Sequence, residues 1–383
     1  MWPFSRLRGQ RSERGYVLVI TAVGLMGFIG VGMLAIDVGM LMTARAQAQN
    51  AADAGALAAA TSMAFDGTAD RSPGSLPVRN AIAAATANPV IGQTVSVTPQ
   101  DVTFLNDPYG QPNWVRVQVF RAAVRSNAVA TLIAGFFGVR SADVTATAIG
   151  EAAPANAAIG VRPWTIPDRW VEAQTPPWDV TDTFNAYPKD PSVPPDVYIP
   201  PNSPGYAGYD PIRDCGLRLT LKAGTGNNIA PSFYNPIAVP GSSGGDDYEL
   251  NVADGSTVAM HIGDLMTPEP GNMVGPTQQG VEELIARDPT AYWDEGQNKV
   301  VSTMSPSPRI VVIPVYDPYY YNTGKENSRN ADLKIVNFLG FFVEAVHGNG
   351  DVTGRITPVT GILDASAGPA PAGSFPRVIR LVR

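Results

Sequence analysis

The chain has 383 residues, enough for two or three domains, and a formal net charge of −7. Four arginines and one glutamate fall within residues 1–15, leaving 23 Lys+Arg against 33 Asp+Glu elsewhere; so acidic a body lacks the positive footprint that nucleic-acid binding needs. A single cysteine, Cys215, excludes an internal disulfide and a multi-cysteine metal site, and 38 Gly with 35 Pro point to a loop-rich β protein.

Residues 1–15 read as a basic leader carrying Arg6, Arg8, Arg11 and Arg14. No charge follows from Tyr16 to Ile36, and Asp37 ends the run. Twenty-one helical residues at about 1.5 Å each span roughly the 30 Å of bilayer hydrocarbon. A cleavable signal has a shorter apolar core followed by a break. Here strong helix formers continue, so residues 16–37 read as a retained single-pass transmembrane helix. Arginine asymmetry places the N-terminus in the cytoplasm and the C-terminal bulk outside it. A prepilin-type leader would need a glutamate at the fifth position after Gly15, and Ile20 stands there. Gly24, Gly27 and Gly30, with Gly32, offer a face that another helix can approach closely; simple tolerance of glycine by membrane helices is the plainer alternative.

Residues 44–64 contain 11 alanines, the best helix former with little apolar bulk. Ala44, Ala48, Ala51, Gly55, Ala58 and Ser62 share one face by their spacing of three and four. That narrow seam suits close packing on a sheet or a second helix. Arg45, Gln49 and Asp53 fall off it, as a solvated face or as contacts to a partner.

Asp37-Val-Gly39, Arg45, Gln49-Asn-Ala-Ala-Asp53-Ala and Ala56-Leu57, after the apolar span, resemble the N-terminal domain of TadG-like proteins of the tight-adherence (Flp) pilus assembly systems. The pattern departs at Ala48, where leucine is usual, and at Gly55, where alanine is usual. Phe136-Phe137-Gly138 through Ala148 is similar to the end of the TadE/TadG-type module. The resemblance implies an inner-membrane protein with a periplasmic body. Its partners would be other pilus-assembly or pilin-like membrane proteins and the lipid bilayer. It would serve pilus assembly, secretion or adhesion as a structural component rather than an enzyme. The alternative is an anchored extracytoplasmic module that binds a glycan or envelope polymer.

Beyond a loop at 66–75, Leu76–Ala87 reads as a short helix stopped by Asn88-Pro89. Residues 94–105 and Trp114–Val124 read as a hairpin around Asp107–Gly110, with Val115, Val117 and Val119 on one face. Asn127–Gly138 reads as a helix anchored by Leu132, Ile133, Phe136 and Phe137, and Asp143–Ala148 as a strand. Residues 38–150 are thus expected to form a pilin-like α+β module, one long helix on a small antiparallel sheet. A linker at 151–161 and a mostly-β extracytoplasmic domain at 162–383 follow. Residues 162–211, crowded with proline and aromatics, read as a strap or a linker and not as a central strand. Strands are expected at 217–222, 248–252, 257–262, 309–315, 332–346 and 377–383. A buried helix is the alternative for 335–346. Thr277–Arg287 is the expected helix of this domain, capped by Thr277.

Little in this half carries chemistry. His261 and His347 lie in or beside strand-like runs without a Gly-x-Ser-x-Gly or a paired metal motif. Gly241–Asp247, with Glu249 and Asp254, has the oxygens but not the spacing of a calcium loop. Glu269–Thr277 lacks the lysine of a phosphate loop. Asp364-Ala-Ser366-Ala-Gly368 falls one serine short of the Asp-x-Ser-x-Ser metal motif that some TadG-like proteins carry. No catalytic residue, cofactor or metal is expected, and Cys215 beside Asp214 reads as an inert thiol. Tyr319, Tyr320 and Tyr321 read as a contact surface or as a packed loop.

Overall fold

The computed structural model describes residues 14–65, 69–108, 110–223, 228–242, 244–327, 331–371 and 373–382. The leader arginines Arg6, Arg8 and Arg11 lie outside them. The apolar run and the alanine-rich segment form one uninterrupted helix, α1 (Arg14–Phe65), about 78 Å long at 1.5 Å per residue. Its two halves have opposite environments. From Tyr16 to Leu34 the large apolar side chains stand exposed all round. From Ala44 onward most of the alanines are buried, Ala46 remaining exposed and Ala54 and Ala58 half-buried.

The buried half is wider than the single seam expected. Ala52, Ala56, Ala59 and Ala60 are as buried as Ala44, Ala48 and Ala51, whereas Ala58 is only half-buried. The reason is that two partners flank the helix. On one side lies α2 (Leu76–Thr86), whose Ala81 and Ala85 meet Gly55. On the other lies a sheet of β1 (Val102–Leu105), β2 (Trp114–Arg121) and β3 (Val144–Pro154). β1 and β2 pair antiparallel with Val115 opposite Phe104, as the hairpin reading expects. Val115, Val117 and Val119 are fully buried beneath the alanines. Gly150 of β3 lets the strand approach the Ala56 backbone.

Two expectations for this region fail. Asn127–Gly138 is not a helix: a short strand, Val129–Ala130, leads into a single 3-10 turn at Ala134–Phe137, beyond which Ser141–Ala142 returns to pair with it. Its apolar residues have helical spacing, but the backbone donors of 132–134 are taken by a carboxylate of α1. Residues 151–154 are not a linker, because β3 runs on to Pro154. They are held by β10 (Pro376–Val382), which returns from the chain's end to pair antiparallel with β3. The buried Glu151 carboxylate accepts from Trp114 Nε1 on β2 at 2.9 Å and from Arg380 Nε on β10. It thereby links three strands.

The second half centres on a closed six-stranded barrel. β4 (Trp164–Pro167), β5 (Arg218–Ala223), β6 (Phe233–Pro236), β7 (Ile310–Tyr316), β8 (Leu333–Val346) and β9 (Val352–Thr357) connect in the order β8-β7-β4-β6-β5-β9, and β9 pairs back onto β8. Closure removes the open edges that such strands would otherwise present. Trp164, Ile166, Leu219, Leu221, Tyr234, Ile313, Phe341 and Ile356 share its core. β8 is thus a strand over its whole length, and the helix alternative for 335–346 falls. The exclusion of a central strand from 162–211 also fails at β4: Pro163 precedes the strand and Pro167 ends it, so the missing N–H groups fall at its margins. Residues 168–211 form an irregular, well-packed strap with buried Trp170, Phe184 and Tyr209.

Residues 248–252 lie in a helix, α3 (Gly244–Ala253), rather than a strand; Tyr248 and Val252, one turn apart, are buried together with Ala253. It packs on α4 (Val274–Ala286), where Gly280 leaves room for the Glu249 carbonyl and Val252. Thr277 is not the cap of α4. It lies inside the helix, buried, with its hydroxyl 3.0 Å from that of Tyr234. Of 257–262 only Met260–His261 is strand.

Candidate interaction surfaces

α1 brings together most of the residues singled out from sequence. Gly24, Gly27 and Gly30 have no neighbour within contact distance of a methyl group. Gly27 and Gly30 do share a hollow with Val31, Leu34, Ile133 and Ala134. Part of the glycine face therefore looks onto the chain's own 131–138 loop. Arg45 is exposed. Gln49 is tied down: its amide donates to Asp53 Oδ1 at 2.8 Å and to the Thr147 carbonyl of β3 at 3.2 Å. Gln49 and Asp53 thus fasten helix to sheet, which leaves Arg45 the freer contact.

Asp37 does more than end the apolar run. It is 3% exposed, and its carboxylate accepts the backbone N–H groups of Leu132 and Ile133 at 2.9 Å and of Ala134 at 2.6 Å. Three charge-assisted bonds from consecutive amides clamp the loop to the helix. The sequence marks the spot only as a lone carboxylate closing an apolar stretch, since its partners lie 95 to 97 residues away.

The tyrosines do not form one surface. They open a helix, α5 (Pro318–Asn327), and so form neither a packed loop nor a single contact face. Asp317 starts it by accepting the Tyr320 N–H at 2.8 Å, and Pro318 opens the first turn. Tyr321 is buried edge-on against Tyr316, while Tyr319 and Tyr320 remain exposed and the Tyr319 hydroxyl lies 2.9 Å from that of Tyr187.

Several titratable groups elsewhere are bound into the scaffold. His261 Nε2 lies 3.0 Å from Asp364, whose other oxygen accepts the Ser366 hydroxyl, so the serine faces the carboxylate and not the imidazole. Burial pushes the Cys215 thiol up to about 11. Asp254 pairs with Arg287, and no cluster of three or more His, Cys, Asp or Glu able to hold a metal occurs among the described residues. Asp168, fully buried at the root of the strap, accepts from Tyr198, Tyr206 and the Arg169 and Tyr209 amides. Burial nevertheless pushes it up to about 6.

α1 is long and apolar enough to cross a membrane by length and composition. No curated protein and no solved structure matches the chain. Residues 15–62, from the start of the exposed apolar half to the last turn of the buried one, match the model of the Flp pilus-assembly TadE/G-like family, so the N-terminal helix of this chain is a TadE/G-like segment.

Proposed function

We propose that the chain is a membrane-anchored structural component of a Flp-type pilus or its associated secretion apparatus, acting through protein–protein packing and not through catalysis. The observation that carries this reading is α1, whose TadE/G-like sequence coincides with a helix bare at one end and built into a sheet at the other. About 32 Å of exposed apolar helix needs an apolar surround. The arginine-rich leader keeps its end of the helix in the cytoplasm of the inner membrane, and the body stands in the periplasm. The buried alanine half is already occupied by α2 and the sheet. The pilin-like part of the chain therefore offers partners its bare helix and Arg45. Beyond it, the barrel presents Tyr319 and Tyr320.

Photo-crosslinking in cells tests this. A photoreactive side chain at Phe28, which is 84% exposed, is expected to trap another membrane protein of the pilus-assembly set, identified by mass spectrometry. Adducts confined to lipid or to unrelated membrane proteins would contradict it.

A further inference from the structure

We infer that the segment 122–140 is a second membrane-contacting element, dipping into the outer leaflet beside α1. The inference rests on the reading of α1 as a membrane anchor. β2 ends at Arg121 and β3 begins at Val144 opposite it, so residues 122–143 leave the sheet at one end. Gln49 meets Thr147 and Ala56 meets Gly150; descending β3 toward Val144 therefore means descending α1 toward its apolar half. At that end the loop carries Val124, Leu132 and Val139, which are 81%, 63% and 54% exposed. Leu132 and Val139 flank the Ile133–Ala134 turn that lies against the bare apolar helix, so exposed aliphatic side chains adjoin an exposed apolar surface there, the kind of arrangement that marks an interaction surface.

Two features identify the occupant as lipid. First, the loop follows the helix below Asp37: Ile133 and Ala134 wall the same hollow as Gly27, Gly30, Val31 and Leu34, within about three turns preceding Asp37. Second, its backbone is prepared for a medium without water, where unpaired polar groups are costly. The amides of 132–134 bond Asp37, Thr131 N–H bonds the Arg140 carbonyl, Gly138 N–H bonds Gly135, and Val139 N–H bonds Ala134. The Thr131 hydroxyl donates to the Val139 carbonyl. The charges facing this end lie at its rim. Arg140 is exposed and placed to reach headgroups; Arg125 is paired with Asp101, and Asp143 accepts the Ala123 N–H. An interfacial element of this size enters roughly 5–10 Å.

The test uses the full chain with Cys215→Ser, reconstituted in vesicles of phosphatidylethanolamine and phosphatidylglycerol. Nitroxide labels are placed through Leu132→Cys, Val139→Cys, Phe28→Cys and Tyr292→Cys. Collision with oxygen and with a water-soluble nickel chelate is then compared. The expected result is that 132 and 139 are oxygen-accessible and nickel-protected like 28, while 292 is nickel-accessible. Labels at 132 and 139 that behave like 292, or are shielded from both reagents, overturn the inference while leaving the anchor intact if 28 remains lipid-like. A nickel-accessible label at 28 removes the anchor reading and the inference with it.

Discussion

The contact between α1 and β3 is tight enough for one methyl group to test it. An added Cβ at Gly150 would press on the Ala56 carbonyl oxygen, lie 2.8 Å from its carbon and stand 3.1 Å from Ala60 Cβ. Carbon atoms prefer about 3.5–4.0 Å, so strand and helix must part by close to an ångström. The helix cannot simply yield, because its other side rests on α2 through Gly55, Ala81 and Ala85. Overpacking of this kind costs ~1–3 kcal/mol, against a gain of about 0.5–1 kcal/mol for replacing a glycine inside a strand. Gly150→Ala is therefore expected to be destabilising and to lower Tm by a few degrees. Gly55→Ala is the control. Its new methyl would meet neighbours at 3.1–3.2 Å, which need to give only by tenths, and helix propensity returns about 1 kcal/mol. That change should be close to neutral. Thermal unfolding of both variants in detergent, with hydrogen exchange across β2 and β3, decides the matter. A Gly150→Ala protein that melts with or above the parent would refute the packing described here.

Asp37→Ala leaves three amides without their acceptor, a loss of ~1–3 kcal/mol for the loop; exchange at 132–134 should accelerate in detergent while Val115–Val119 stay protected, and unchanged exchange at 132–134 would disprove the clamp. For Asp168 the folded value of about 6 lies above the ordinary carboxylate value of 3.8, so the folded state holds the proton more tightly. Its contribution is then fully present below about pH 4 and is lost as pH rises through about 6, on the order of 3 kcal/mol. Denaturant titrations should show that loss in the parent and a flatter profile in Asp168→Asn; parallel profiles would show that Asp168 is not the group. Cys215, raised to about 11 by burial, should alkylate far more slowly at pH 8 in the folded protein than in denaturant; equal rates would place the thiol in solvent.

Local periodicity made part of this fold legible. The charge-free run and the alanines specify α1 and alternating valines specify β2, whereas the long apolar run of β8 fits a strand or a buried helix until its pairing decides. What escaped was decided by distant partners. Leu132, Ile133, Phe136 and Phe137 carry helical spacing, yet Asp37 captures their segment's amides and leaves one 3-10 turn. The strand Pro376–Val382 was visible as a strand, but not its return to pair with β3. Prolines argue against a central strand at Trp164–Pro167, yet Pro163 stands just before the strand and Pro167 at its last position, so its interior residues keep their donors. In α5 the local signal is Asp317-Pro318, a helix start whose aspartate accepts the Tyr320 N–H. Of the residues marked for interaction, Tyr321 is buried and Gln49 is tied to β3, because an exposed-looking sequence position says nothing of what packs across it.

We propose that this chain works in pilus assembly from the membrane. Deleting its gene and counting surface pili by electron microscopy tests that claim most directly. Pili are expected to be lost or sharply reduced, to be restored by the full chain, and not to be restored by a chain lacking 14–36. Normal piliation in the deletion strain would contradict it.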